Sequence, residues 1–232
     1  MPADLASLKD SQKVIDQAVE RFGRVDILVN NAAVFPVCMS LEMTEEVWDY
    51  TVDTDLKGAY FLAQAAAKAM ISAGRGGRII NLLSTDAFRP TGVLSVYGAA
   101  KAGLWSATQA MAKEFAEHRI LVNALTPGSI ITEERITKLQ DGTFGESEVA
   151  KGAVKTRERL QFAVKSGAFA QMMTTMMPLG RPGYPDEIAK AVLLLASDID
   201  LPQQIRAIHS WKTARLGLWE IACCDLNSIG VK

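Results

Sequence analysis

Three apolar runs, at 25–29, 78–83 and 119–125, limit most strongly what this chain can fold into. The first (Val25, Asp26, Ile27, Leu28, Val29) is nearly continuous, as in a strand of a parallel sheet covered on both faces. Long helical segments separate the three runs. Residues 45–73 read as one long helix, and 97–117 sets Leu104, Ala107, Met111 and Phe115 on a single stripe. Ahead of the first run, 10–22 carries Val14, Ile15, Ala18, Val19 and Phe22 at helical spacing, and Gly23 stops that helix. Strands alternating with helices require right-handed crossovers. The expected fold class is therefore α/β, a partial doubly wound (Rossmann-like) parallel sheet with flanking helices.

Tyr97 and Lys101 stand four residues apart where the second long helix begins, so phenol and ammonium project from one face. A positive charge about 5 Å from a phenol, at an effective dielectric near 20, is worth about 3 kcal/mol, or about two pKa units. That shift brings a tyrosine from near 10 towards the range of a general acid or base. Ser84 ends the strand at 78–83, and its hydroxyl can donate to a substrate oxygen. It can equally satisfy a local backbone group, a common role for serine at a strand end.

Composition removes several function classes. The chain has 232 residues, 49% hydrophobic, and a net charge of −1. That suits one α/β domain with a sizeable core, and gives no electrostatic reason to expect nucleic acid or an anionic membrane as partner. The three cysteines (Cys38, Cys223, Cys224) form no paired framework, which points to a reducing, cytoplasmic setting. His118 and His209 are far apart in sequence, so no metal site is expected. Met1-Pro2-Ala3-Asp4 does not read as a signal peptide, and the longest apolar run, near 191–196, is too short to span a bilayer.

Several ordered motifs join the Ser84–Tyr97–Lys101 triplet. Asn30-Asn31-Ala32-Ala33 follows the first strand, and Pro127-Gly128-Ser129-Ile130-Ile131-Thr132 follows the third. Pro178-Leu179-Gly180-Arg181-Pro182-Gly183 and Pro185-Asp186-Glu187-Ile188 come later. From position 4 to 198 the chain resembles the short-chain dehydrogenase/reductase family, in its single-domain, 3-oxoacyl-carrier-protein reductase-like branch. The resemblance implies an NAD- or NADP-dependent oxidoreductase that interconverts a secondary alcohol and a ketone. Tyr97 would be its acid/base group, with Ser84 orienting the substrate oxygen. Lys101 would lower the phenol's pKa and bind the nicotinamide ribose. Asp4 and Leu5 would touch the adenine, and Asn31 and Ala32 would line the cofactor cleft, with Asn30 tying neighbouring strands together. Pro127, Gly128, Ile130 and Thr132 would lie beside the nicotinamide. The long helices resemble those that pair subunits, implying a homodimer or homotetramer acting on a small-molecule alcohol or ketone.

Departures from the family pattern carry expectations too. Asp55 stands where the family's catalytic tetrad has Asn, and a carboxylate there would partly cancel the effect of Lys101 on Tyr97. Reduced rather than abolished chemistry is expected. No Gly-x-x-x-Gly-x-Gly occurs before residue 23, so the resemblance implies that 1–198 is a truncated Rossmann-like domain beginning after the first three strands. Residues 133–177, Met-rich near Met172, Met173, Met176 and Met177, correspond to the family's substrate lid. The methionines suit either an adaptable apolar surface or simple core filling. The tail 199–232 diverges and lacks the usual C-terminal strand. A second reading therefore stands beside the enzyme: a catalytically silent fragment or binding subunit, unable to hold the cofactor pyrophosphate and exposing an apolar sheet edge at 25–29.

Overall fold

The computed structural model describes residues 2–144, 147–177, 179–197, 206–209 and 221–223, the last two stretches by their backbone alone. The side chains of Met173 and Met176, Pro178 of the Pro-Leu-Gly-Arg motif, and tail residues such as Leu201, Trp211, Trp219 and Cys224 lie outside what is described.

Strands β1 (Ile27–Asn30), β2 (Gly77–Leu82) and β3 (Ile120–Thr126) lie side by side and parallel, Asn30 level with Asn81 and Leu82 with Leu125. Adjacent residues on a strand face opposite sides, and β2 is buried on both: Ile79 and Ile80 are each fully buried. Ile79 packs with Ile15 of α1 (Leu8–Phe22), Leu62 and Met70 of α3 (Ala59–Ala73), and Met111 of α4 (Ser95–Glu114). Ile80 and Leu82 pack with Leu125 and with Leu195 of α8 (Pro185–Ala196). Each such burial contributes about 1.5–3 kcal/mol.

The expected strands and helices form, with four corrections. β1 is covered on one side only, since Ile27 and Val29 remain 45% and 38% exposed. Its apolar run therefore does not mean burial on both faces; Leu28 and Asn30 alone turn inward. The helix expected over 45–73 is continuous in path but not in hydrogen bonding: α2 (Glu45–Val52) passes through a π-helical turn, Asp53–Gly58, into α3. The helix expected over 97–117 stops at Glu114, where a 3-10 turn (Ala116–His118) and a left-handed Arg119 (φ 58°) redirect the chain into β3. The tail expected to lack a strand contributes two. β4 (Arg206–His209) runs parallel to β3, and β5 (Ile221–Cys223) runs antiparallel to β4. Backbone pairing needs only an extended segment beside β3, which Arg206-Ala207-Ile208-His209 supplies without the family's ending.

Gly23 does end α1, at φ 80°, donating its N–H to the Val19 carbonyl. The segment 133–177 resolves into α5 (Glu133–Gln140), α6 (Val154–Lys165) and α7 (Ala168–Met176). It is tied to the rest through Glu42, whose carboxylate accepts from the Lys155 N–H (2.9 Å), the Thr156 N–H (2.8 Å) and the Thr156 hydroxyl (2.7 Å).

Candidate active site

In a parallel sheet every strand delivers its following loop to the same, carboxyl edge, where open α/β sheets bind ligands. Here that edge carries Asn31 after β1, Ser84 after β2 and Pro127 after β3. Ser84 caps the short 3-10 turn Thr85–Ala87, its Oγ accepting from the Asp86 N–H at 3.2 Å and reaching Asp86 Oδ2 at 3.3 Å. The first turn of α4 packs hard onto this turn. A Cβ at Gly98 would stand 2.8 Å from the Asp86 carbonyl oxygen, so only glycine allows the approach. The adjacent Tyr97 is thereby set near Ser84, whose hydroxyl is one of the groups that lower the phenol's pKa. Ser84 is thus a local cap that also stands beside Tyr97.

Lys101, one turn further along α4, is 2% exposed. Its ammonium donates to the Leu82 carbonyl at 3.1 Å, lies 3.7 Å from Asp55 Oδ2, and sits 5.7 Å from the centre of the Tyr97 ring. Asp55 is fully buried on the π-turn. The widened π-turn aims it inward, a frequent use of such bulges near functional sites. Oδ1 accepts from the Val34 N–H at 2.8 Å, while Oδ2 has no hydrogen-bond partner among the described residues. Gly58 closes that turn, and any Cβ there would collide with the backbone carbonyl of Leu5. Behind the site, Asn30 donates to Asn81 Oδ1 (2.8 Å) and to the Ala59 carbonyl (3.0 Å), and Asn81 donates to Thr108 (2.8 Å). Asn30 thus joins β1 to β2, as expected.

The electrostatics correct one expectation. Tyr97 is not drawn towards neutrality; burial above all, then Asp55 and Asp86, push its pKa up to about 12, against the hydrogen bond from Ser84 and the charge of Arg135. The ammonium of Lys101 is instead engaged by Asp55. Burial pushes the Asp55 carboxyl up to about 6, opposed by Lys101 and the Val34 amide. Burial likewise pulls Lys101 below the ordinary lysine range, opposed by Asp55. Desolvation outweighs the pairing on both partners.

Of the other expected residues, Asn31 and Ala32 are exposed just past β1. The Pro127 carbonyl accepts from the Thr85 N–H at 3.1 Å, which locks the third strand's loop beside Ser84. Gly128 is half-buried, Ile130 bridges to Gly183, and Thr132 caps α5 by accepting from the Arg135 N–H at 3.3 Å. Asp4 lies apart, its carboxylate accepting from the Ala6 N–H at 3.0 Å in the turn before α1, and Leu5 packs under the π-turn. Two residues that sequence reasoning missed belong to the site. Phe35 meets the Tyr97 ring edge-on at 6.1 Å, and Arg135 lies over the Phe35 ring at 4.4 Å. No local pattern could have found them, because loop and helix bring them to Tyr97 only in three dimensions.

These groups fit the nicotinamide-ribose half of a dinucleotide. A buried ammonium, a half-buried phenol and the loops after all three strands converge on one edge. No glycine-rich turn for the diphosphate half occurs among the described residues. Among those residues, no group of three or more His, Cys, Asp or Glu side chains could hold a metal ion, and no helix is long and apolar enough to cross a membrane.

Fold and site together define a Rossmann-type sheet of the kind found in nucleotide-dependent oxidoreductases. A family model described as short chain dehydrogenase matches residues 1–141. The chain is 39% identical over 197 residues to the L-rhamnose 1-dehydrogenase (NAD(P)(+)) of Azotobacter vinelandii, covering 85% of this chain and 67% of that one. It is 36% identical over 194 residues to the galactitol 2-dehydrogenase of Agrobacterium fabrum, covering 84% and 68%. Its fold matches the crystal structure of a gluconate 5-dehydrogenase from Burkholderia cenocepacia J2315 in complex with NADP and tartrate, with a TM-score of 0.68 and 28% identity, over 84% of this chain and 66% of that one. The chain spans about two thirds of the length of these relatives. It belongs to the short-chain dehydrogenase family, a family of NAD(P)-dependent oxidoreductases.

Proposed function

We propose that this protein interconverts a secondary alcohol and a ketone, with NAD or NADP as hydride carrier and a sugar or polyol as substrate. The observation that carries the reading is the grouping of Ser84, Tyr97 and Lys101 at the sheet's carboxyl edge, with the buried Lys101 ammonium 5.7 Å from the Tyr97 ring centre. The substrate class is supported by the names of the rhamnose and galactitol enzymes. Nothing in those names favours the acyl-carrier-protein branch.

When bound, the nucleotide supplies the hydride chemistry; the rest falls to the chain's own groups. Tyr97, its pKa pushed up to about 12, is fully protonated at neutral pH and donates its proton to the substrate oxygen during reduction. In oxidation it must accept that proton, and the phenolate it would need is scarce. Ser84 orients the same oxygen. Lys101 holds the nicotinamide ribose, and Asn31, Ala32, Pro127, Gly128, Ile130 and Thr132 line the cleft. Asp55 competes for the Lys101 charge and moderates the chemistry without removing it. We place the protein in the cytoplasm as a homodimer or homotetramer; half-exposed Tyr60 and Phe61 on α3 support a subunit contact there.

Fluorescence titration with NADH and NADPH tests the reading, followed by polyol oxidation monitored by nucleotide absorbance. Saturable binding and turnover are expected. No binding at millimolar nucleotide would overturn it and leave the second reading, a silent subunit that pairs through β1, which the uncovered Ile27 and Val29 favour.

A further inference from the structure

We propose that Arg135 selects a substrate bearing a carboxylate, so that within the sugar and polyol class the site prefers a sugar acid. The inference rests on the reading of the site as a sugar or polyol dehydrogenase and adds the chemical group it recognises. Thr132 caps α5 and fixes the helix start, which turns Arg135 back towards the sheet edge. Its guanidinium lies over the Phe35 ring, 4.4 Å from the ring centre, and Phe35 in turn abuts Tyr97. A guanidinium held on an aromatic face keeps its N–H edge free for a bidentate carboxylate.

Glu134 and Glu148 both face Arg135 and share the single Lys138 ammonium, at 2.8 and 3.2 Å, so they offset part of the Arg135 charge without pairing with its guanidinium. No acid lies within 4 Å of the Arg135 guanidinium among the described residues. A half-buried guanidinium next to the phenol, with no carboxylate in contact among the described residues, offers its N–H groups to an anionic ligand. A substrate whose carbinol meets Tyr97 and Ser84 would place a carboxylate further along its chain at Arg135.

Gluconate and glucitol form a matched pair, differing only in a carboxylate against a hydroxymethyl group. Calorimetric titration of each into the wild-type chain, at low and high salt, is the test. A charge-assisted contact is worth about 1.5–3 kcal/mol, so gluconate should bind about tenfold or more tighter, the margin shrinking with salt. In Arg135→Met the ratio of the two dissociation constants should fall to near one, and Arg135→Lys should recover part of it. Equal binding of the two ligands by the wild type, binding of neither, or an undiminished preference in folded Arg135→Met would each overturn the proposal. Should the methionine variant not fold, the wild-type preference and its salt dependence decide alone. The nucleotide titration above is a separate measurement, so failure of the dehydrogenase reading and failure of carboxylate selection give different results.

Discussion

Two carboxylates tie segments of this molecule together, Glu42 half-buried and Asp55 fully buried. Glu42 anchors α6 and is saturated: both its oxygens accept short hydrogen bonds, which together with the charge of Lys155 hold it below the usual glutamate range. Asp55 anchors the π-turn, but one oxygen meets only a lysine at 3.7 Å, and burial pushes its pKa up to about 6. A structural anchor gives both its oxygens to fixed donors. At the sheet edge the acid, ammonium and phenol lie in a dry setting where burial pushes each away from its ordinary pKa. The contrast separates a site from a staple without reference to any relative.

The largest effect should come from Tyr97→Phe. The ring stays against Phe35 and only the proton donor goes, so turnover should fall by about 10²–10⁴-fold with the melting temperature little changed. Equal rates in an absorbance assay would show that the sheet edge is not where the chemistry happens. Next comes Lys101→Met, which strands the buried Asp55 charge. Removing one partner of a buried pair costs about 3–5 kcal/mol. Denaturant unfolding should show that loss at neutral pH, shrinking in acid as Asp55 takes up a proton.

Much of this was legible before any coordinates. The strands and helices along the chain, the helix stop at Gly23 and the shared face of Tyr97 and Lys101 follow from apolar runs and helical spacing, whereas the grouping of Ser84 with them was implied by the family resemblance. What sequence could not give was the balance of burial against charge. Whether Lys101 acts on Tyr97 depends on whether Asp55 reaches the ammonium, and that depends on a π-turn which local propensity does not signal. Phe35 and Arg135 were invisible for the same kind of reason, since each reaches Tyr97 from a different loop or helix. The uncovered side of β1 was misread because an apolar run records what a strand could bury, not what lies over it.

Asp55→Asn probes the site through pH. The folded pKa of Asp55, about 6, lies above its ordinary value of 3.8. The fold therefore favours the protonated acid, and that contribution is complete below about pH 4 and lost as pH rises through about 6. The wild type should lose stability relative to Asp55→Asn across that window, measured as the gap between urea midpoints at each pH. The same variant should lower the pH at which Tyr97 ionises, since the Asp55 charge is one of the causes holding it up. Parallel stability curves and an unmoved tyrosinate transition would mean that Asp55 is merely another staple.

Glu42→Gln should give the smallest effect, and a local one. Its pKa is lowered in the fold, so its contribution is present above the ordinary value of 4.5 and fades as pH falls through the lower folded value. Glutamine keeps one carbonyl oxygen but turns an N–H₂ group towards donors that need an acceptor. Amide hydrogen exchange at Lys155 and Thr156 should speed up at neutral pH, and the difference from wild type should narrow in acid. The Tyr97 transition, followed by tyrosinate absorbance, should stay near its wild-type position, because no hydrogen bond links Glu42 to the phenol among the described residues. A shift there would show that the α6 anchor and the sheet edge titrate as one network, and the division between staple and site would have to be redrawn.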